Sequence, residues 1–262
     1  MSRVLPAFLE SGSGATAVFL LHGVGGGKEA WPETLQALAG AGFRAVAWDM
    51  PGYGASATIA PYANQGLALA FEALLDHVNA ERNVVLGHSM GGMIAQEACV
   101  LFPEKVHGLI LSATSPAFGK PGGEWQKQFL ESRFAPLDAG RGLAGLALEL
   151  VRGMVAPDAS AAAIAAAVAL MSRVPEATYR AALSAIVSFD RRANLPNIHV
   201  PTLCLAGEHD RNAAPAVMEK MAQHIPEAEY RCLAGVGHLA NLEDPDAFNA
   251  AVLGFLKLHF AI

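Results

Sequence analysis

Three residues far apart in the chain have the types and settings needed to activate a hydroxyl as a nucleophile. Ser89 lies in Val84-Val85-Leu86-Gly87-His88-Ser89-Met90-Gly91-Gly92. This is G-x-S-x-G after an apolar run and before the helical run from Met93 to Leu101. A sharp strand-to-helix turn lifts the Oγ clear of the sheet, and Gly87 and Gly91 leave room where a Cβ would obstruct the turn. The helix that follows points its positive end at any negative charge developing there. A serine hydroxyl is a poor nucleophile at neutral pH and needs a base. Of nine histidines, His238 is the best placed, in Val236-Gly237-His238 between the last strand and a helix start at Asp244-Pro245.

The base needs a carboxylate on its far ring nitrogen to hold one tautomer. Asp210, in Leu205-Ala206-Gly207-Glu208-His209-Asp210-Arg211, is favoured over Glu208, because a glycine-led turn carries the chain out of the strand before presenting it. The expected oxyanion donors are the amide of Met90, directly after the serine, and the amide of Val24 in Leu21-His22-Gly23-Val24-Gly25-Gly26-Gly27. That glycine-rich loop has neither phosphate-binding spacing, G-x-x-x-x-G-K-[ST] or G-x-G-x-x-G. His22 and His88 are expected beside the site in structural or polarising roles. Asp49 and Tyr53, in a tight turn, are read as structural.

These residues need a scaffold that brings strand ends together. Strands are predicted at Ala17–Leu21, Arg44–Asp49, Val84–Leu86, Val106–Ser112, Thr202–Ala206 and Glu229–Leu233, several continuously apolar, as in a sheet buried on both faces. Leu67, Phe71, Leu74, Leu75 and Val78 fall at helical spacing, and Phe248, Val252, Phe255 and Leu256 mark a closing helix. The alternation predicts a doubly wound, mostly parallel α/β sheet. It breaks between 116 and 193, which holds only helical material flanked by Pro116, Lys120-Pro121-Gly122-Gly123 and Asn194-Leu195-Pro196. The expected organisation is a core of 1–115 and 194–262 carrying a helical lid, 116–193, over the site. Trp125, Phe129, Phe134, Met154 and Met171 are candidates to line an apolar pocket. Trp125 and Arg133 are the expected substrate contacts, the arginine as partner for a substrate carboxylate.

Composition removes several other classes. The 262 residues are 53% hydrophobic and 16% charged, long enough for a substantial core. A net charge of −6 and the lack of any basic run leave no footprint for nucleic acid. Cys99, Cys204 and Cys232 lack metal-ligand spacing and read as reduced, buried thiols. The first residues show no signal-peptide pattern, and the apolar stretch from Ala159 to Ser172 is shorter than the roughly 18–20 residues of a membrane span. A cytoplasmic protein without membrane attachment is expected. Neither the natural substrate nor the oligomeric state is written in these motifs.

Taken together, His22-Gly23, Asp49-x-Pro51-Gly52-x-Gly54-x-Ser56, Gly87-His88-Ser89-Met90-Gly91-Gly92, Gly207-x-x-Asp210 and Gly237-His238 resemble the α/β-hydrolase superfamily over essentially the whole chain. Its required order, nucleophile then acid then histidine, matches Ser89, Asp210, His238. The tail Gly237-His238-Leu239-Ala240-Asn241-Leu242-Glu243-Asp244-Pro245 and the stretch Ile198-His199-Val200-Pro201-Thr202 are similar to the 3-oxoadipate enol-lactonase group. The loop His22-Gly23-Val24-Gly25-Gly26-Gly27 looks more like that of general esterases and of C–C hydrolases acting on ring-cleavage products. Those C–C hydrolases tend to carry a tryptophan after the histidine, where this chain has Leu239. An aspartate at position 89 would have pointed to a dehalogenase or epoxide hydrolase. The resemblance implies hydrolysis of a small carboxylic ester or lactone through an acyl-enzyme, with no metal and no organic cofactor. C–C cleavage and a non-catalytic ligand receptor of the same fold are the alternatives.

Overall fold

The computed structural model describes residues 5–120 and 122–260, so of the turn expected at 120–123 Pro121 lies outside the described residues. The strands are β1 Phe8–Ser11, β2 Thr16–Leu21, β3 Arg44–Trp48, β4 Arg82–His88, β5 Gly108–Ser112, β6 Thr202–Gly207 and β7 Glu229–Leu233. Among the described residues they form one seven-stranded sheet in the order β1-β3-β2-β4-β5-β6-β7. All neighbours are parallel except β1, which runs antiparallel to β3 with Phe8 opposite Trp48.

Every residue of β2 is buried, and its side chains divide by the two-residue period of a strand. Ala17, Phe19 and Leu21 enter the core on one face, while Val18 and Leu20 enter the core on the other. Helices α2 Asn64–Val78, α3 Met90–Leu101 and α8 Pro215–His224 cover the first face; α1 Pro32–Gly40 and the C-terminal helix α10 Pro245–His259 cover the second. The predicted stripe of α2 is wholly buried, with Phe71 edge-on to Phe19 at 5.5 Å and to Trp48 at 5.7 Å. Asp244 caps α10 by accepting the Ala247 N–H at 2.9 Å, and Pro245 takes the first helical position.

Strand β1 and helices α1 and α8 were not anticipated. β1 is a four-residue edge strand with half-exposed ends and exposed middle residues, so it shows no apolar run. Strand β5 begins at Gly108 rather than Val106, because the Asn83 N–H takes the His107 ring and the His107 N–H takes the Asn83 carbonyl before the parallel ladder starts. Of the three cysteines only Cys204 is buried; Cys99 is half-buried and Cys232 is exposed. Cys232 stands on the edge strand β7, which offers only partial cover.

Between β5 and β6 the chain forms α4 Glu124–Asp138, α5 Gly142–Arg152, α6 Ala161–Met171 and α7 Glu176–Val187. It leaves and returns through a narrow neck. The Phe118 N–H donates to the Phe189 carbonyl at 3.1 Å, and the Arg191 N–H donates to the Pro116 carbonyl at 2.7 Å. The Arg191 guanidinium then grips buried Glu97 of α3 through two bonds of 2.6 and 2.7 Å, the two-pronged geometry that fixes orientation as well as distance. Helix α7 is docked on the core by the Asn64 amide, which donates to the Ala185 carbonyl at 2.9 Å, and by the Thr178 hydroxyl, which donates to the Gly52 carbonyl at 3.0 Å. No single helix among the described residues is long and apolar enough to cross a membrane.

Candidate active site

The turn from β4 into α3 holds Ser89 at φ 54°, ψ −119°, a backbone conformation that L-residues adopt at a cost on the order of 1–3 kcal/mol. The surroundings over-determine it. The Ser89 N–H donates to the Ser112 carbonyl at 2.9 Å, and the Thr114 hydroxyl donates to the Ser89 carbonyl at 2.7 Å. A Cβ at Gly91 would come within 2.1 Å of the Leu21 carbonyl oxygen, and one at Gly87 within 2.5 Å of the Gly91 oxygen. Glycine is therefore required on both sides of the serine by close backbone approach.

His238 and Asp210 arrive from the loops after β7 and β6. Asp210 Oδ2 accepts from His238 Nδ1 at 2.8 Å, and His238 Nε2 faces Ser89 Oγ at 3.0 Å. Both His238 and Asp210 are buried. An ionised carboxylate can only accept, so Nδ1 carries the ring hydrogen and Nε2 is left to accept from the serine hydroxyl. Burial works to raise the Asp210 pKa. The adjacent His238 ring and the N–H groups of Ala213 and Asn212 outweigh it and hold the carboxyl below its usual range. Those amides donate to Oδ1 at 3.0 and 2.7 Å. Glu208, the competing carboxylate, turns away, and its Oε2 accepts the Gly235 N–H at 2.8 Å.

The two other histidines of the site are locked neutral. The Met50 N–H donates to His22 Nε2 at 3.0 Å, so His22 Nδ1 carries the hydrogen and donates to the Gly23 carbonyl at 2.7 Å. His88 Nε2 donates to the His238 carbonyl at 2.8 Å. Burial lowers the His22 pKa to about 4 against the opposing pull of its bond to Gly23. Burial, helped by the neighbouring His238 ring, lowers that of His88 to about 3. A histidine kept neutral when folded gains its proton on unfolding, so the unfolded chain binds more protons below its ordinary pKa of 6.5. Stability is therefore retained above that value and lost as pH falls from it toward 4 and then 3. From about pH 7.5 to about pH 5, urea unfolding should record a loss on the order of 4 kcal/mol from the two histidines together. An unfolding free energy that stays flat over that window would contradict this.

The glycine-rich loop after β2 is braced from several sides. The Tyr53 hydroxyl donates to the Val24 carbonyl at 2.9 Å, and the Gly26 N–H donates to the Gly23 carbonyl at 3.0 Å. Buried Asp49 accepts the Lys28 N–H at 3.0 Å and the Lys28 ammonium at 2.6 Å, a structural role for both turn residues. Among the described residues, neither the Val24 nor the Met90 N–H donates to a protein acceptor. Met90 is the first residue of α3, where an N–H has no intrahelical partner.

Ser89 and His238 open onto a cavity of about 340 Å³. Trp125, Phe129, Arg133, Met154 and Met171 all line it; Phe134 does not. The Arg180 guanidinium lies 5.0 Å over the Phe134 ring instead, on the other side of α4. Trp125 is 57% exposed and packs with Phe118 and Phe129 in an aromatic cluster, with centroid separations of 4.8 to 6.1 Å. Arg133 sits 5.5 Å from the Phe129 centroid. Among the described residues the lining includes two cations, Arg133 and Arg211, and no carboxylate. Neither arginine has an ion-pair partner there. Phe118, Thr114 and Arg211 were missed from sequence; Arg211 alone carried a signal, as the residue after Asp210.

The model of the alpha/beta hydrolase fold family matches residues 16–245, a span that takes in the serine turn, the Asp210 and His238 loops and the whole insertion. The chain belongs to the α/β-hydrolase fold family. Among curated hydrolase-fold relatives it is 28% identical to 3-oxoadipate enol-lactonase 2 of Acinetobacter baylyi, over 81% of this chain and 78% of that protein. It is 34% identical to a stretch of the polyketide synthase ThaQ of Burkholderia thailandensis; the match covers 80% of this chain but spans only 10% of that much longer protein. A malate-bound thermophilic esterase from Thermogutta terrifontis superposes with a TM-score of 0.87 at 26% identity, covering 97% of this chain and 93% of the esterase. Esterases and enol-lactonases thus stand among the relatives of this α/β-hydrolase.

Proposed function

We propose that this α/β-hydrolase cleaves a small carboxylic ester or lactone through an acyl-enzyme. The observation that carries the reading is the contact pair on one imidazole, 2.8 Å to Asp210 and 3.0 Å to Ser89. Ser89 Oγ attacks the carbonyl carbon as His238 Nε2 takes its proton. The C–O bond to the leaving alkoxide breaks as His238 returns that proton to it, and water activated by the same nitrogen releases the acid. Asp210 keeps the ring in the productive tautomer and faces the imidazolium while it exists. The unpaired N–H groups of Val24 and Met90 are the donors for the oxyanion, each supplying a bond that strengthens as charge develops. No step in this scheme calls on a metal or an organic cofactor. Residues 116–193 act as a lid on a core of 1–115 and 194–262, and that lid supplies Trp125 and Arg133 to the substrate.

The arginine-lined, acid-free cavity favours a substrate that carries a carboxylate in addition to the scissile group. The malate-bound esterase, a relative that holds a dicarboxylate, supports the same reading. The test is a comparison of kcat/KM for a neutral short-chain aryl ester, a carboxylate-bearing enol-lactone and a ring-fission dienoate. The ester and lactone should be the better substrates, because C–C cleavage also demands protonation at carbon and a hold on an extended conjugated acid. A dienoate preference of about a hundredfold, roughly 2.7 kcal/mol of transition-state discrimination, would transfer the chain to the C–C hydrolases. In the same panel Arg133→Ala should raise KM for the anionic lactone by about tenfold or more, the worth of one charge-assisted contact. An equal change for the neutral ester would remove Arg133 from carboxylate recognition.

A further inference from the structure

Helix α9, Ala240–Glu243, follows directly on the His238 loop, and its last residue reaches back over that loop. Glu243 Oε1 accepts the Leu239 N–H at 3.0 Å, and Oε2 accepts the Gly237 N–H at 3.0 Å. One carboxylate thus takes the amides on both sides of His238. The same Oε2 also accepts the Ala156 N–H at 2.7 Å, from the segment joining α5 and α6 in the helical insertion. That segment returns a bond of its own, since the Met154 carbonyl accepts the His238 N–H at 2.7 Å. The surfaces meet without slack: a Cβ on Gly237 would lie 2.6 Å from the Met154 oxygen and 2.7 Å from the Ala156 nitrogen. With the His88 ring on the His238 carbonyl at 2.8 Å, the backbone around the imidazole is tied on every side. No cation is paired with Glu243 among the described residues, which leaves its charge to these three amides.

We infer that Glu243 is a positioning residue for His238, clamping the loop of the base to the 154–156 segment of the insertion. The role rests on the hydrolase reading above. An ionised acceptor makes shorter and stronger bonds to N–H groups than a neutral one. Glutamine would keep the shape but present an NH₂ to at least one of the three amides, leaving a donor facing a donor. The loop would then relax away from the insertion and carry the imidazole off the line between Ser89 and Asp210. A displacement near 1 Å at a reacting group costs on the order of a hundredfold in rate. The clamp also makes the placement of the insertion a determinant of the base, so two parts of the chain 82 or more residues apart act on one proton transfer (156 to 238).

The test uses full-length Glu243→Gln, with active sites counted by fluorophosphonate titration. The clamp predicts that kcat per titrated site falls by about ten- to a hundredfold while KM stays within about threefold. Acylation and deacylation should slow by the same factor, because His238 serves both. A merely structural role would lower the titratable fraction or the melting temperature and leave the rate per site unchanged. A rate per titrated site within about twofold of wild type would overturn the clamp. If the variant does not fold, amide hydrogen exchange on the wild-type chain decides. Ala156, Gly237 and Leu239 should be protected and open together; unprotected or independently opening amides would overturn the clamp. Stoichiometric labelling of wild-type Ser89 keeps the hydrolase reading in place even if Glu243 proves inert. Labelling at another serine removes that reading and the role of Glu243 with it.

Discussion

Ser89→Ala should lower kcat on a short-chain ester by on the order of 10⁴–10⁶ while leaving the fold in place. In the proposed mechanism the hydroxyl forms the acyl bond, and the residual rate is what the proposed oxyanion donors and binding provide unaided. The substitution removes one oxygen from a half-buried position, and the turn keeps its N–H bond to Ser112 and its carbonyl bond from Thr114. Alanine at φ 54° carries the same backbone cost as serine, so stability should change little. Kinetics with circular dichroism on the same preparation would check both halves. Activity within about tenfold of wild type would take Ser89 out of the mechanism.

Asp210→Asn should cost about 10⁴-fold in kcat through the tautomer of His238. An asparagine amide can donate to Nδ1, which moves the ring hydrogen to Nε2 and points it at the serine oxygen. The nucleophile then meets a donor where it needs an acceptor. The Asn212 and Ala213 amides, which now donate to Oδ1, hold position 210 in place, so the loss should appear in rate rather than in folding. Glu208→Gln is the matched comparison. At the surface its Oε2 takes the Gly235 amide and lies 3.9 Å from the His209 ring, away from His238, and its effect on kcat should be within a few-fold, roughly the scale of other exposed substitutions. The reverse ranking would show that the acid had been assigned to the wrong carboxylate.

How much of this could be read from the residues follows from how local the constraint is. The serine turn was legible because close backbone packing forces glycine at 87 and 91, whatever lies elsewhere. Asp210 was legible over Glu208 because the glycine-led turn after β6 sets which carboxylate faces inward. The buried stripe of α2 and the Asp244 cap on α10 likewise depend on spacing within one helix. Non-local partners left no such mark. His88 adjoins Ser89 in sequence, yet its ring bonds the carbonyl of His238, 150 positions away. Glu243 sat in a quoted motif without a role, because one of its three amides comes from the insertion. Phe134 shares helix α4 with Phe129 and Arg133, yet it does not line the cavity and carries the Arg180 guanidinium over its ring, which spacing within one helix did not reveal. Strand β1 has four residues and an exposed middle, too little pattern to distinguish it from a loop.

In the proposed mechanism turnover runs through an ester bond on Ser89 Oγ. Wild-type protein mixed with an aryl ester, quenched in acid during the first turnover and digested for peptide mass mapping, tests it directly. An acyl-enzyme at Ser89 should give one acyl group per chain, on the peptide carrying Gly87-His88-Ser89-Met90-Gly91, formed in step with a stoichiometric burst of phenol and absent from Ser89→Ala. Steady turnover with no acyl group on that peptide, or with the acyl group on a different residue, would contradict it.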